Sequence, residues 1–146
     1  MIRNRHLFKL KWKPEVVDEN FSIEKFRADI DRSSARMKLP RDTRAEKTKI
    51  GEMNAEWIIP EDYQEGKVLL YLHGGGFISG SCHTHRMHVA KFARGCRMKS
   101  MVFDYRLAPE HPFPAAVDDC LEAYQWLITQ GYRQEDITVG GESAGG

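Results

Sequence analysis

Val68-Leu69-Leu70-Tyr71-Leu72 runs straight into His73-Gly74-Gly75-Gly76, and Ile137-Thr138-Val139 runs straight into Gly140-Gly141-Glu142-Ser143-Ala144-Gly145. Each begins as a short, unbroken apolar run of strand length, the pattern of a strand buried on both faces. Each then gives way to a glycine-rich loop. Met101-Val102-Phe103 is a further apolar run of the same kind. Between these three lie two helical patterns. In residues 84–97, Val89, Phe92, Ala93 and Cys96 fall on one side and Arg86, Lys91, Arg94 and Arg97 on the other. The second begins at Pro114, with Asp118 and Asp119 in its first turns, and Gly131 stops it. Its expected apolar stripe is Val117, Cys120, Leu121, Tyr124, Leu127 and Ile128. Strand, helix, strand, helix, strand demands crossover connections, so the expected class is α/β: a mostly parallel sheet with helices on both faces.

Upstream, Lys47–Ile50 and Met53–Ile59 flank Gly51 and predict a hairpin at a sheet edge, closed by Pro60. Ile23, Phe26, Ile30 and Met37 keep helical spacing, with Ser22 as N-cap and Pro40 beyond the end, which predicts a basic amphipathic helix over 23–37. The first 20 residues interleave Leu7, Phe8, Leu10 and Trp12 with five basic residues. A membrane-surface segment would read this way, but the apolar face is short, and an arm packed on the main domain is the preferred reading.

Charge divides the chain in the same place. Residues 1–50 hold 14 Lys and Arg against 8 Asp and Glu, whereas residues 51–146 hold 8 against 13. Two segments are expected, residues 1–45 and residues 46–146. The formal net charge of +1 gives no general reason to expect nucleic-acid binding. The longest apolar run, about five residues, is far too short to span a membrane, and no apolar segment follows the basic start as a secretory leader would require. Three cysteines, Cys82, Cys96 and Cys120, are read as free thiols in a reducing, cytoplasmic setting.

The chemistry is carried by the loops. Gly141-Glu142-Ser143-Ala144-Gly145 has the G-x-S-x-G spacing, in which a serine sits on a tight strand-to-helix turn and small flanking residues let the backbones approach. Three glycines after a buried strand expose backbone N–H groups able to stabilise a developing oxyanion. Cys82, His83, His85 and His88 include good zinc-ligand types, but His83 and His85 diverge on a helix. A solvated helix start near the rim of the site is the preferred reading, with no metal and no organic cofactor.

On these residues the chain resembles the hormone-sensitive-lipase-like group of α/β hydrolases. His73-Gly74-Gly75-Gly76-Phe77 is similar to its oxyanion motif, Asp104 to Ala116 to its signature segment, and Gly141 to Gly146 to its nucleophile motif, with Glu142 where Asp is commoner. The resemblance implies Ser143 as nucleophile, the N–H groups of Gly75, Gly76 and Ala144 as oxyanion hole, and His73 with Gly74 as shapers of that loop. It also implies a serine ester hydrolase with small-molecule ester substrates and a helical cap within residues 1–50, from which short soluble acyl esters are expected. Arg106 is expected to pair with Glu110. The group's triad order is Ser, then Asp or Glu, then His, and all six histidines here precede Ser143. The chain is therefore expected to be the N-terminal portion of an esterase, inactive alone. A non-catalytic small-molecule receptor of the same fold is the alternative, and a role in interaction only is a third. Oligomeric state and natural substrate are not legible.

Overall fold

The computed structural model describes residues 21–146, so the arm expected over residues 1–20 lies outside the described residues. Helix α1 spans Ile23–Ser34, strands β1 and β2 span Thr43–Ile50 and Met53–Pro60, β3 Val68–Leu72, helix α2 Cys82–Cys96, β4 Lys99–Phe103, helix α3 Ala115–Thr129 and β5 Ile137–Gly141. The five strands form one sheet in the order β1-β2-β4-β3-β5. It is mixed: β1 pairs antiparallel with β2 and β2 with β4, while β3 runs parallel to both β4 and β5. The hairpin supplies the antiparallel edge, and the crossover units supply the parallel part, as their helical connections require.

Alternation along the strands divides the core. Val68, Leu70, Met101 and Phe103 face α3 through Ala116, Ala123 and Leu127. Leu69, Tyr71 and Val102 face α2 through Val89, Ala90 and Ala93. Helices therefore cover opposite faces of the sheet, and small residues on both let them approach closely. Trp57, on the α3 face, packs between Trp126 and Tyr132, with the Lys99 ammonium 3.8 Å from its ring.

Several local expectations need correction. Helix α2 begins two residues earlier than its apolar spacing suggests, because Ser81 and Thr84 form a capping box. Helix α1 stops at Ser34. Pro114 is the N-cap of α3, one residue before the helix proper. The α3 stripe is rotated: Ala115, Ala116, Asp119, Ala123 and Leu127 are buried, whereas Val117 and Leu121 are 53% and 56% exposed. Close packing on the sheet selected the alanine face over the one with larger side chains. Likewise Phe92 and Cys96 of α2 are exposed, and Ala90 turns inward instead. Finally, β5 is not buried on both faces, with Val139 52% exposed, because β5 is the outer strand opposite β1 and no described helix covers it.

Candidate active site

The two crossovers leave β4 on one side of β3 and β5 on the other, which creates a switch point at the carboxyl ends of these strands, where ligands bind in open α/β sheets. Register completes the arrangement. Leu72 pairs with Gly141, so the loop from His73 and the loop from Glu142 leave the sheet side by side.

Ser143 follows β5 in a single 3-10 turn, Ser143–Gly145, with φ +53° and an exposed side chain. This left-handed conformation is uncommon for a non-glycine residue. The turn is possible because a side chain on Gly141 would strike the backbone of Gly145, and one on Gly145 the backbone of Leu72. The other loop turns at Gly75, with φ +125°, where a Cβ would collide with the Ser79 backbone. The Gly75 carbonyl accepts from the amides of Ile78 (3.1 Å) and Ser79 (3.0 Å) and from the Ser79 hydroxyl (2.9 Å). The amides of Gly75 and Gly76 are not spent within that turn, among the described residues.

His73 is completely buried between two rings, Tyr105 at 4.0 Å and His85 at 5.1 Å between centroids. Its Nδ1 lies 2.8 Å from the Gly74 carbonyl, and the Tyr105 hydroxyl donates to the His73 carbonyl at 2.5 Å. Nδ1 therefore carries the proton, and Nε2 has no hydrogen-bond partner among the described residues. Burial, against the opposing Gly74 hydrogen bond and aided by nearby His85, pushes this imidazole below its ordinary pKa and keeps it neutral.

Glu142 is the residue whose contacts its neighbours in sequence do not disclose. Its Oε1 accepts the Gly74 amide at 2.8 Å and lies 2.9 Å from His85 Nε2, and its Oε2 accepts the Tyr71 hydroxyl. Burial raises its pKa, but the bonds from Tyr71 and Gly74 and the nearby His85 and His88 outweigh that, and the net shift is downward. Burial of Tyr71, together with the same carboxylate, drives the tyrosine pKa upward.

The remaining candidates separate into supports. Cys82 is buried with its Sγ 3.3 Å from the Val102 carbonyl, and burial raises its thiol pKa. The Cys82 amide donates to Asp104 at 2.6 Å, which fastens α2 to the end of β4. His88 stacks on Phe92, and His85 alone of the cluster reaches Glu142. Arg106 does not pair with Glu110. It pairs with buried Asp119 of α3 at 2.6 Å, and its amide donates to the same carboxylate at 2.7 Å. Glu110 pairs instead with Arg27 of α1 at 2.7 Å, and Arg27 also donates to the carbonyls of Ile78 (2.6 Å) and Ala108 (2.8 Å). Asp119 lies one helical turn beyond the start of α3 and reaches Arg106 directly, whereas Glu110 points outward toward α1. The first pair spans 13 residues and the second 83. The capping pattern Ser81-x-x-Thr84 is a local signal that marks the start of α2.

Residues 69–146 match the alpha/beta hydrolase fold family. The chain is 44% identical over 81 residues to the carboxylesterase/phospholipase LipF of Mycobacterium tuberculosis, covering 56% of this chain and 22% of that protein. It is 41% identical over 96 residues to an acetyl-hydrolase of Streptomyces hygroscopicus, covering 66% and 32% respectively. A solved esterase/lipase from an uncultured bacterium matches with a TM-score of 0.83 and 38% identity, over 92% of this chain and 45% of its own. An esterase from the bacterial hormone-sensitive lipase (HSL) family matches with a TM-score of 0.80 and 39% identity, over 86% and 42%. This chain spans less than half the length of those solved relatives and no more than about a third of the two curated ones. A sheet with its switch point between two glycine loops, and a family match that takes in more than half the residues, make the chain a member of the alpha/beta hydrolase fold family.

Proposed function

We propose that the protein is a carboxylic ester hydrolase in which Ser143 is the nucleophile, and that residues 21–45 belong to a cap segment beside a catalytic-domain half over 46–146. The observation that carries the reading is the left-handed Ser143 just after β5, next to a glycine loop whose Gly75 and Gly76 amides have no backbone partner among the described residues. Relatives named as esterases and carboxylesterases support it.

In this reading Ser143 Oγ attacks the ester carbonyl carbon while its proton passes to a histidine. The tetrahedral oxyanion is held by the amides of Gly75, Gly76 and Ala144. The C–O bond then breaks and the alcohol departs with that proton, leaving an acyl-serine. Water, deprotonated by the same histidine, attacks the acyl carbon, releases the acid and restores Ser143. His73 is completely buried between Tyr105 and His85 with its Nδ1 on the Gly74 carbonyl, which makes it unsuited to be that base. No acid or base is assigned among the described residues. Short acyl esters are the proposed substrates, because α1 is fastened against the glycine loop through Arg27, and an apolar cleft of about 300 Å³ beside Phe77 suits small groups. Free thiols at Cys82, Cys96 and Cys120 fit a reducing compartment. Among the described residues no helix is long and apolar enough to cross a membrane.

The test is Ser143→Ala in the complete gene product. Turnover of p-nitrophenyl acetate is expected to fall on the order of 10⁶-fold, together with labelling by a fluorophosphonate. Retained labelling would place the nucleophile elsewhere. An optimum at long chains in a p-nitrophenyl ester series would reject the short-chain preference.

A further inference from the structure

We propose that Glu142 is the positioning residue that locks the oxyanion loop onto the nucleophile turn, a reading that rests on Ser143 as nucleophile. One carboxylate, on the residue directly before Ser143, gathers four parts of the fold: the Tyr71 hydroxyl from β3, the Gly74 amide from the glycine loop, His85 from α2, and its own turn. No other side chain among the described residues bonds both loops.

The geometry gives this carboxylate leverage. Gly74 directly precedes the two glycines whose amides would face the oxyanion. Its amide is fixed at 2.8 Å by Glu142 Oε1. The approach is so close that a Cβ on Gly74 would lie 2.9 Å from the Glu142 carbonyl oxygen and 3.0 Å from Oε1. The distance between the donors and Ser143 is thereby set through one side chain and not through two independently moving loops. Oxyanion donors act only when preorganised at the place where charge develops, and a displacement of about 1 Å in such a site costs on the order of 10²-fold in rate. The length of the side chain matters as well as its charge. Aspartate is one methylene shorter and cannot keep Gly74 and Tyr71 together from the same backbone position. Glutamine keeps an acceptor for Gly74 and offers an N–H to the Tyr71 oxygen, losing the charge opposite His85 and the acceptor of the Tyr71 hydroxyl proton.

The experiment compares Glu142→Ala, Glu142→Asp and Glu142→Gln with wild type and Ser143→Ala in the complete gene product. It measures kcat and KM on p-nitrophenyl acetate, and the affinity of a trifluoromethyl ketone, which reads the oxyanion hole through its hemiketal. Glu142→Ala is expected to lose about 10²-fold in kcat and a matching factor in ketone affinity, with KM changed less than about threefold. Glu142→Gln is expected to retain more activity than Glu142→Asp, although Asp keeps the charge. If Glu142→Ala does not fold, that Gln-over-Asp order decides. Wild-type kcat and ketone affinity in Glu142→Ala, or Asp surpassing Gln, would overturn the proposal. Turnover surviving in Ser143→Ala would instead overturn the nucleophile reading, so the two failures are distinct.

Discussion

Ser143 at φ +53° and Gly75 at φ +125° each hold a positive-φ backbone at the candidate site. A serine in the left-handed region stores about 1–3 kcal/mol and persists only where its surroundings enforce it. Here the close approach of Gly141 to Gly145 and of Gly145 to Leu72 does so. Gly75 is the opposite case, since no L side chain suits that φ and the Ser79 backbone occupies the space a Cβ would need. Gly75→Ala is therefore expected to displace the loop without unfolding the sheet. It should lower kcat by about 10²–10³-fold while leaving far-UV circular dichroism unchanged. A kcat within about fivefold of wild type would show that this amide is not an oxyanion donor.

Two ion pairs set the relation between elements. Asp119 projects from α3 with its side chain 3% exposed and holds both the amide and the guanidinium of Arg106. Loss of charged hydrogen bonds of this kind costs about 2 kcal/mol, so Asp119→Ala should lower the stability measured by urea unfolding by that amount, with Asp119→Asn milder. The Arg27–Glu110 pair is exposed and contributes less to global stability. Its consequence is local, because it fastens α1 to the segment after β4. The hydrogen bonds from Arg27 and from the Glu110 amide hold the Glu110 carboxyl down at about 2, against a usual 4.5. A depressed carboxyl contributes its full docking effect above the usual value and loses it as pH falls through the folded one. Hydrogen exchange in α1 is accordingly expected to accelerate, relative to β3, between about pH 4 and 2. Glu110→Gln should show the accelerated exchange already at pH 6, and identical α1 protection in that variant would remove Glu110 from the docking role.

For the molecule as a whole, the sheet is covered at β4 and β3 and open at β5, where Val139 is half exposed. An open apolar edge of this kind invites pairing with other chains. Three of the five described histidines are also engaged elsewhere: His73 is buried in the loop, His85 faces Glu142, and His88 stacks on Phe92. A serine hydroxyl without a positioned imidazole remains protonated near neutral pH. A polypeptide of these 146 residues alone is thus expected to associate in solution and to hydrolyse p-nitrophenyl acetate no faster than its Ser143→Ala version. Size-exclusion chromatography with the paired assay checks both, and serine-dependent turnover in a monomeric sample would contradict the expectation.

The α/β class, the three strands that feed the site and the two glycine loops could be read from residue order, because a buried strand, its period and a tight turn are local properties of a few adjacent side chains. The capping serine Ser22 was legible for the same reason, since its hydroxyl accepts from Lys25 three residues away. The buried face of α3 was not legible. Its sequence offers two apolar stripes, and the choice of Ala116, Ala123 and Leu127 over Val117 and Leu121 depended on how closely the helix packs on the sheet. Nor were the pairings of Arg106, Arg27 and Glu142. A charged side chain takes whichever partner the folded backbone brings within about 3 Å. For Arg27 that partner lies 83 residues away, and for Glu142 the tyrosine lies 71 residues back, beyond the reach of any local rule.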